Sequence, residues 1–405
     1  MAYLWSNCLL AVHAPLDPIF PDPYFPGTFI GREYTSYSGV LSSVKANNIN
    51  VYGWLNPSYN LSSAANSNVP ISFQYLPNRL LLDQAVLVFE KTPDTLQTNH
   101  MDYGFNFSNL FGTDYRYTTM AGLLSQQYIE HNNKYGYDPV IANIQLFVPG
   151  IGQGTLVTLG RFLSPADIET PLSTGNYLVT HSLSFTYSAY TQMGLFVNTK
   201  LNHRWSYSIG MHASSDIAIW SVSAAPAFTG YVQWTADDEQ DSIFTGIAAI
   251  NNGQYRNQHN NLQQMNLIWT HQFSEEVFVQ TEAMYEFQKN ALQGGTCVFG
   301  NGGSGCGRLI PGYSAALGLQ SVLQKKWKDD LFSSIRANYF NDFQGQHTNY
   351  QTAYMSFSIG LTEIFRNSLK IRPEFRYDLG LSGTPYDNGT RSSVVLGLLD
   401  VILLL

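Results

Sequence analysis

No stretch of 18 consecutive apolar residues occurs in these 405 residues, so no single helix of the chain is apolar enough to span a bilayer. Charge is scarce as well. Asp, Glu, Lys and Arg make up 12% of the chain, against about 25% in soluble domains, which leaves little to dress a soluble surface. Of those charges 21 are basic and 29 acidic, and the formal net charge of -8 gives no footprint for binding DNA or RNA. Cysteine is nearly missing. Of three residues, Cys297 and Cys306 share a Gly-rich segment, where an exported protein could pair them as a loop staple; pairing and free thiols stay equally open. Two cysteines without nearby His make a poor zinc site, and the nine His are scattered without ligand spacing. No metal or other cofactor is expected.

What the chain does have is rings. Aromatics reach 14%, with 26 Tyr and 24 Phe, a supply suited to membrane interfaces. The N-terminus is mixed. Leu9 to Val12 is weakly apolar and Val12-His13-Ala14 resembles a cleavage site, but no Lys or Arg precedes it. Residues 1–14 read as a worn, truncated or miscalled leader. Residues 15–27 hold five prolines, which rules out helix and central strand. Residues 1–48 are therefore expected to form a leader remnant and Pro-rich segment, a candidate plug, ahead of one domain over 49–405.

From residue 49 onward the apolar period is two. Sixteen strands are expected, at 49–58, 80–92, 101–110, 140–149, 154–163, 190–200, 204–213, 227–236, 241–250, 261–272, 276–287, 312–324, 331–340, 352–364, 369–380 and 393–405. In 369–380, Leu369, Ile371, Pro373, Phe375, Tyr377 and Leu379 share one face; Lys370, Arg372, Glu374, Arg376 and Asp378 share the other. Pro373 removes one ladder hydrogen bond, and a local bulge is expected to absorb the loss. Segment 276–287 repeats the pattern, with Gln280, Glu282 and Glu286 on its polar face. The final strand alternates poorly, because both of its faces are apolar apart from Asp400, and it ends on Leu405 rather than an aromatic.

Such alternation also fits a soluble sandwich. Connection lengths discriminate better, since short and long gaps alternate along the whole series, as in barrels with short periplasmic turns and long extracellular loops. An even strand count then puts both termini in the periplasm. Trp205, Trp234, Trp269 and Trp327 fall near the short turns, while Tyr285, Phe287, Tyr339, Tyr354 and Tyr377 fall toward the long loops, giving two aromatic girdles. The fold expected is all-β: a transmembrane antiparallel up-and-down β-barrel of about sixteen strands.

Few constellations suggest chemistry. Gly150-x-Gly152-x-Gly154 resembles a nucleotide loop, but Thr155 to Leu159 reads as a strand where phosphate binding needs a helix N-terminus. Arg161, Asp167, Glu169 and His181 gather around one long loop. They fit a plain loop surface, a pair of catalytic carboxylates, or a loop folded inward to set acids against basic wall residues. By strand phase Arg336, Lys370, Arg372 and Arg376 face the lumen, because Arg or Lys on the lipid face would cost about 2–4 kcal/mol near the midplane. Glu374 and Asp378 balance them too closely to set an ion preference. The pore-lining candidates are therefore Arg161, Asp167, Glu169, Glu282, Glu286, Arg336, Lys370, Arg372, Glu374, Arg376 and Asp378.

The residues Gly53-Trp54-Leu55-Asn56-Pro57, the run from Glu90 to Thr98, and Asp102-Tyr103-Gly104-Phe105 resemble the putative β-barrel porin-2 family of outer-membrane proteins. So do Tyr135 to Pro139, Gly160-Arg161-Phe162 with Asp167-Ile168-Glu169, and Tyr190 to Gly194. The resemblance spans residues 49 to 405. It implies a bacterial outer-membrane barrel, passive passage of small hydrophilic solutes, and no catalytic residues. The partners expected are outer-membrane lipids and lipopolysaccharide, with a homo-oligomer left open. The alternatives are a barrel-embedded hydrolase, a plugged structural or adhesin barrel, and last a soluble sandwich.

Overall fold

A strand in hydrocarbon has no water to satisfy its backbone, so both of its edges must be paired. This chain meets the demand by closing on itself. The computed structural model describes residues 49–165, 167–256, 259–295, 307–366 and 368–405, and its sheet is one closed antiparallel barrel. The strands are β1 (Asn50–Ser62), β2 (Leu80–Lys91), β3 (Asp102–Gly112), β4 (Gly136–Val148), β5 (Thr155–Leu163), β6 (Thr191–Lys200), β7 (Trp205–His212) and β8 (Ala227–Thr235). The second half is β9 (Asp241–Ile250), β10 (Gln263–Ser274), β11 (Val277–Lys289), β12 (Tyr313–Lys328), β13 (Leu331–Asp342), β14 (Thr352–Phe365), β15 (Leu369–Gly380) and β16 (Ser393–Leu404). Closure joins β1 to β16, with Trp54 opposite Leu404 and Tyr59 opposite Leu399.

All sixteen expected segments are strands. The largest boundary differences are at β1, which runs on to Ser62, at β4, which starts at Gly136, and at β12, which ends at Lys328. Because neighbours run antiparallel, connections fall alternately at the two ends. Those at one end are 92–101, 149–154, 201–204, 236–240, 275–276, 329–330 and 366–368, all but the first shorter than any at the other end. The turn holding Gly152 is followed directly by β5, so the glycine triplet is a strand connection and not a phosphate loop. The candidate leader and plug within 1–48, and the Cys297–Cys306 pair, lie outside the described residues.

Burial follows the expected phase. On β15, Phe375 is 49% exposed outward and Arg376 is 0% exposed inward. Three local expectations change. First, Pro373 causes no bulge. The β14–β15 register is the same on both sides of it, and the ladder merely skips the pairs between Gly360–Glu374 and Glu363–Ile371. A missing N–H interrupts a hydrogen bond without forcing an extra residue into the strand. Second, Tyr354 is not in the girdle. It shares the inward phase of Ser356 and Ser358, is fully buried, and meets Tyr386 edge-on. Third, β16 has a reason for its two apolar faces. Its inward Val394, Leu396 and Leu398 pack with Ile71, Val179 and Leu183, which belong to loops folded into the barrel. The inner face of β16 meets protein rather than water, and so it needs no polar residues.

Candidate functional site

The connection 164–190, between β5 and β6, folds into the lumen instead of standing above it. Its residues 170–190 are buried throughout. It carries a 3-10 turn at Ser173–Gly175 and one helical turn, α1 (Leu183–Thr186), whose N-cap Ser182 accepts from Phe185 N. Apolar residues help to hold it in place. Leu172 packs with Trp54 and Ile402, and Val179 and Leu183 pack with β16; fully burying such a side chain contributes roughly 1.5–3 kcal/mol each. Two wall positions admit the loop because they lack a side chain. A Cβ on Gly318 would lie 2.5 Å from Ser184 Oγ, and one on Gly360 would lie 2.6 Å from Leu178 Cδ2.

Polar contacts then tie the loop to wall strands around the barrel. On β13, Arg336 Nη1 lies 2.6 Å from Glu169 Oε1. The same guanidinium donates to Thr180 O, reaches Thr180 Oγ1 at 2.8 Å, and stands 3.7 Å from Glu374 on β15. Glu374 in turn accepts from Thr180 N at 2.8 Å and from Thr180 Oγ1 at 2.5 Å. Arg372 Nη1 donates to Ser173 O and Asn176 O at 2.9 and 2.8 Å, while its Nε donates to Asp400 at 2.9 Å. Arg376 donates to His181 O and closes on Asp378 at 2.6 Å. On the far wall, Tyr177 Oη donates to Gln280 of β11 at 2.8 Å. Gln264 of β10 accepts from Ala189 N at 3.0 Å, and Gln84 Nε2 of β2 donates to Pro171 O at 2.7 Å. The loop is thus bonded to strands on different sides of the lumen.

The expected cluster of Arg161, Asp167, Glu169 and His181 separates into distinct contacts. Arg161 is fully buried where β5 pairs with β4 and β6, opposite Ala142 and Met193. Its guanidinium grips both oxygens of Asp138, at 2.7 and 2.9 Å, and donates to Thr118 O. It therefore clamps the 113–135 loop at the rim. Glu169 faces Arg336 and accepts from Ser182 N at 2.9 Å. Burial would raise its pKa, but Arg336 overcomes that and holds the carboxyl below its ordinary range. His181 stacks on Phe73 with centroids 3.9 Å apart, and burial pushes its imidazole down to about 4. Asp167 sits against Glu282 and takes a 2.5 Å hydrogen bond from Ser188 Oγ; burial and the neighbouring carboxylate raise its pKa well above the ordinary value.

The remaining candidates point inward and are buried. Glu282 accepts from Asn266 and Gln320, each at 2.8 Å, and Lys370 lies on the inward face of β15. His347 Nε2 is 3.1 Å from Glu286 Oε2, yet among the described residues no group meets hydrogen-bond geometry at either Glu286 oxygen. The nearer partner of that nitrogen is Gln346, at 2.9 Å. Burial takes His347 down to about 4, so we treat it as neutral and not as a counter-ion. Sequence reasoning missed Asp400 as the partner of Arg372, although its signal was plain: a lone acid at an inward position of an apolar strand. It also missed Thr180 and Asn338, which accept and donate at the loop without any charge to mark them.

Comparison with known proteins agrees with this architecture. Residues 48–405 match the profile of the family described as putative beta-barrel porin-2, OmpL-like. No curated protein matches by sequence. Among solved structures, the barrel is similar to an anion-selective porin from Comamonas acidovorans, at 9% identity and a TM-score of 0.58, covering 88% of this chain and 99% of that one. It is also similar to the outer membrane channel DcaP of Acinetobacter baumannii, at 11% identity and a TM-score of 0.51, covering 88% and 97%. A third is OmpT of Vibrio cholerae in its trimer form, at 8% identity and a TM-score of 0.50, covering 88% and 99%.

Proposed function

Because the chain belongs to the putative β-barrel porin-2 family, we propose that it is an outer-membrane channel for passive diffusion of small hydrophilic solutes, narrowed by the 164–190 loop. The observation that carries this is the loop itself, folded inward and latched through Glu169, Arg336, Thr180 and Glu374. Such a loop places charged groups across the narrowest part of a pore, where size and local field filter solutes. The wall candidates Lys370, Arg372, Arg376, Asp378, Glu282 and Glu286 line the same passage. We assign the chain no catalytic role.

The long loops face outward from the cell in this reading, and both termini face the periplasm. Lipid and lipopolysaccharide cover the exposed apolar belt. Copies of the chain associate side by side, by analogy with the structural relative solved as a trimer. Liposome swelling tests the diffusion reading: proteoliposomes should admit small sugars and exclude larger ones, and vesicles that admit none would overturn it. One observation favours a second reading, a closed barrel. The loop residues are buried in apolar clusters on both sides. The same swelling assay separates the two.

A further inference from the structure

The inward charges are unevenly matched. Each lumen-facing arginine described above is closed on a carboxylate: Arg336 on Glu169, Arg372 on Asp400, Arg376 on Asp378. Among the described residues, the acids of the β10–β13 sector have no such partner. Glu286 and Asp342 stand on either side of Ala316, which pairs with both and is too small to separate them. Glu282, with the loop's Asp167 against it, lies two inward positions further along β11, past Met284. Facing them are Tyr187 and Tyr354 at Glu286 and Asp342, Tyr190 and Tyr231 at Asp167 and Glu282, Ser188 and Thr348 as donors to Asp167 and Asp342, and His347, which burial leaves neutral.

A second feature marks the same sector. Both oxygens of Glu286, Oδ1 of Asp167 and Oδ1 of Asp342 are buried without a hydrogen-bond donor among the described residues, as are the side-chain oxygens of Asn266 and Gln320. Buried acceptors without donors are costly, and a cation is the ligand that satisfies several at once. Access is built in. A cavity of about 80 Å³ at the long-loop mouth is lined by Tyr187, Ser188 and His347, and the His347 ring lies 3.1 Å from Glu286.

We propose that this channel prefers cations, and that they pass along the β10–β13 sector at Glu286, Asp342, Glu282 and Asp167. The proposal rests on the diffusion reading and adds the solute class. Once ionised, carboxylates without a cationic partner raise the local concentration of cations and repel anions, while arginines already closed on acids exert little field at a distance.

Reversal potentials across planar bilayers under a KCl gradient test it. Wild-type protein should reverse toward the potassium equilibrium potential, and Glu286→Gln should move the value toward zero. The preference should strengthen from acidic to alkaline pH, since Asp167, with its raised pKa, gains its charge only as the pH rises. A conducting wild-type channel that reverses at zero or on the chloride side overturns the proposal and leaves the diffusion reading standing. A barrel that never conducts overturns both. A preference untouched by Glu286→Gln and by Glu282→Gln overturns the assignment to this sector.

Discussion

Arg336 is the residue on which the loop turns, because it meets Glu169, Thr180 and Glu374 together. Removing one partner of a buried pair typically costs about 3–5 kcal/mol, since the other charge is left bare. Arg336→Ala strands two carboxylates, so the loop should leave the wall. Solute influx into proteoliposomes should rise while the barrel keeps its heat-modifiable migration; unchanged influx would deny the latch. The latch also has a pH sign. Glu169 is held below its ordinary range, so its contribution is complete above that range and is lost only as pH falls through the lowered value. Current noise should rise on acidification below the usual carboxylate range, and Glu169→Gln should abolish that step. Arg161 makes the opposite prediction. Because it clamps the 113–135 loop at the rim, Arg161→Ala should speed proteolysis within 113–135 and leave influx unaltered.

Among the elements, the 164–190 loop depends on wall positions that lack bulk. Gly360→Val would place a side chain against Leu178, so the loop must shift, and solute influx should change while β14 still pairs. Unchanged influx at every solute size would argue that the loop does not set the passage. The strands were legible in the sequence because the bilayer enforces a period of two on every one of them. Lipid-facing positions must be apolar, and few charges can hide. The loop was legible only as a list of charges. Nothing in Asp167, Glu169 and His181 says that Glu169 reaches Arg336, far along the chain, whereas His181 stacks on Phe73. Those partners are set by how the loop crosses the lumen, which pattern does not encode. Tyr354 was misplaced for a related reason. Aromatics mark interfaces on the outer face, but the same ring serves equally well against an inward loop. The apolar inner face of β16 was in fact the sequence's trace of that loop.

At the scale of the whole molecule, low charge, closed pairing and inward polar faces are one solution to one constraint. Each described strand is paired along both edges, apolar side chains meet lipid, and inward charges hold a loop across the passage. The direct test of the central claim is single-channel recording of the purified, folded protein in planar bilayers. Discrete conductance steps are expected, larger when Arg336→Ala releases the loop. A folded barrel that inserts and never conducts, with or without the latch, would contradict the account.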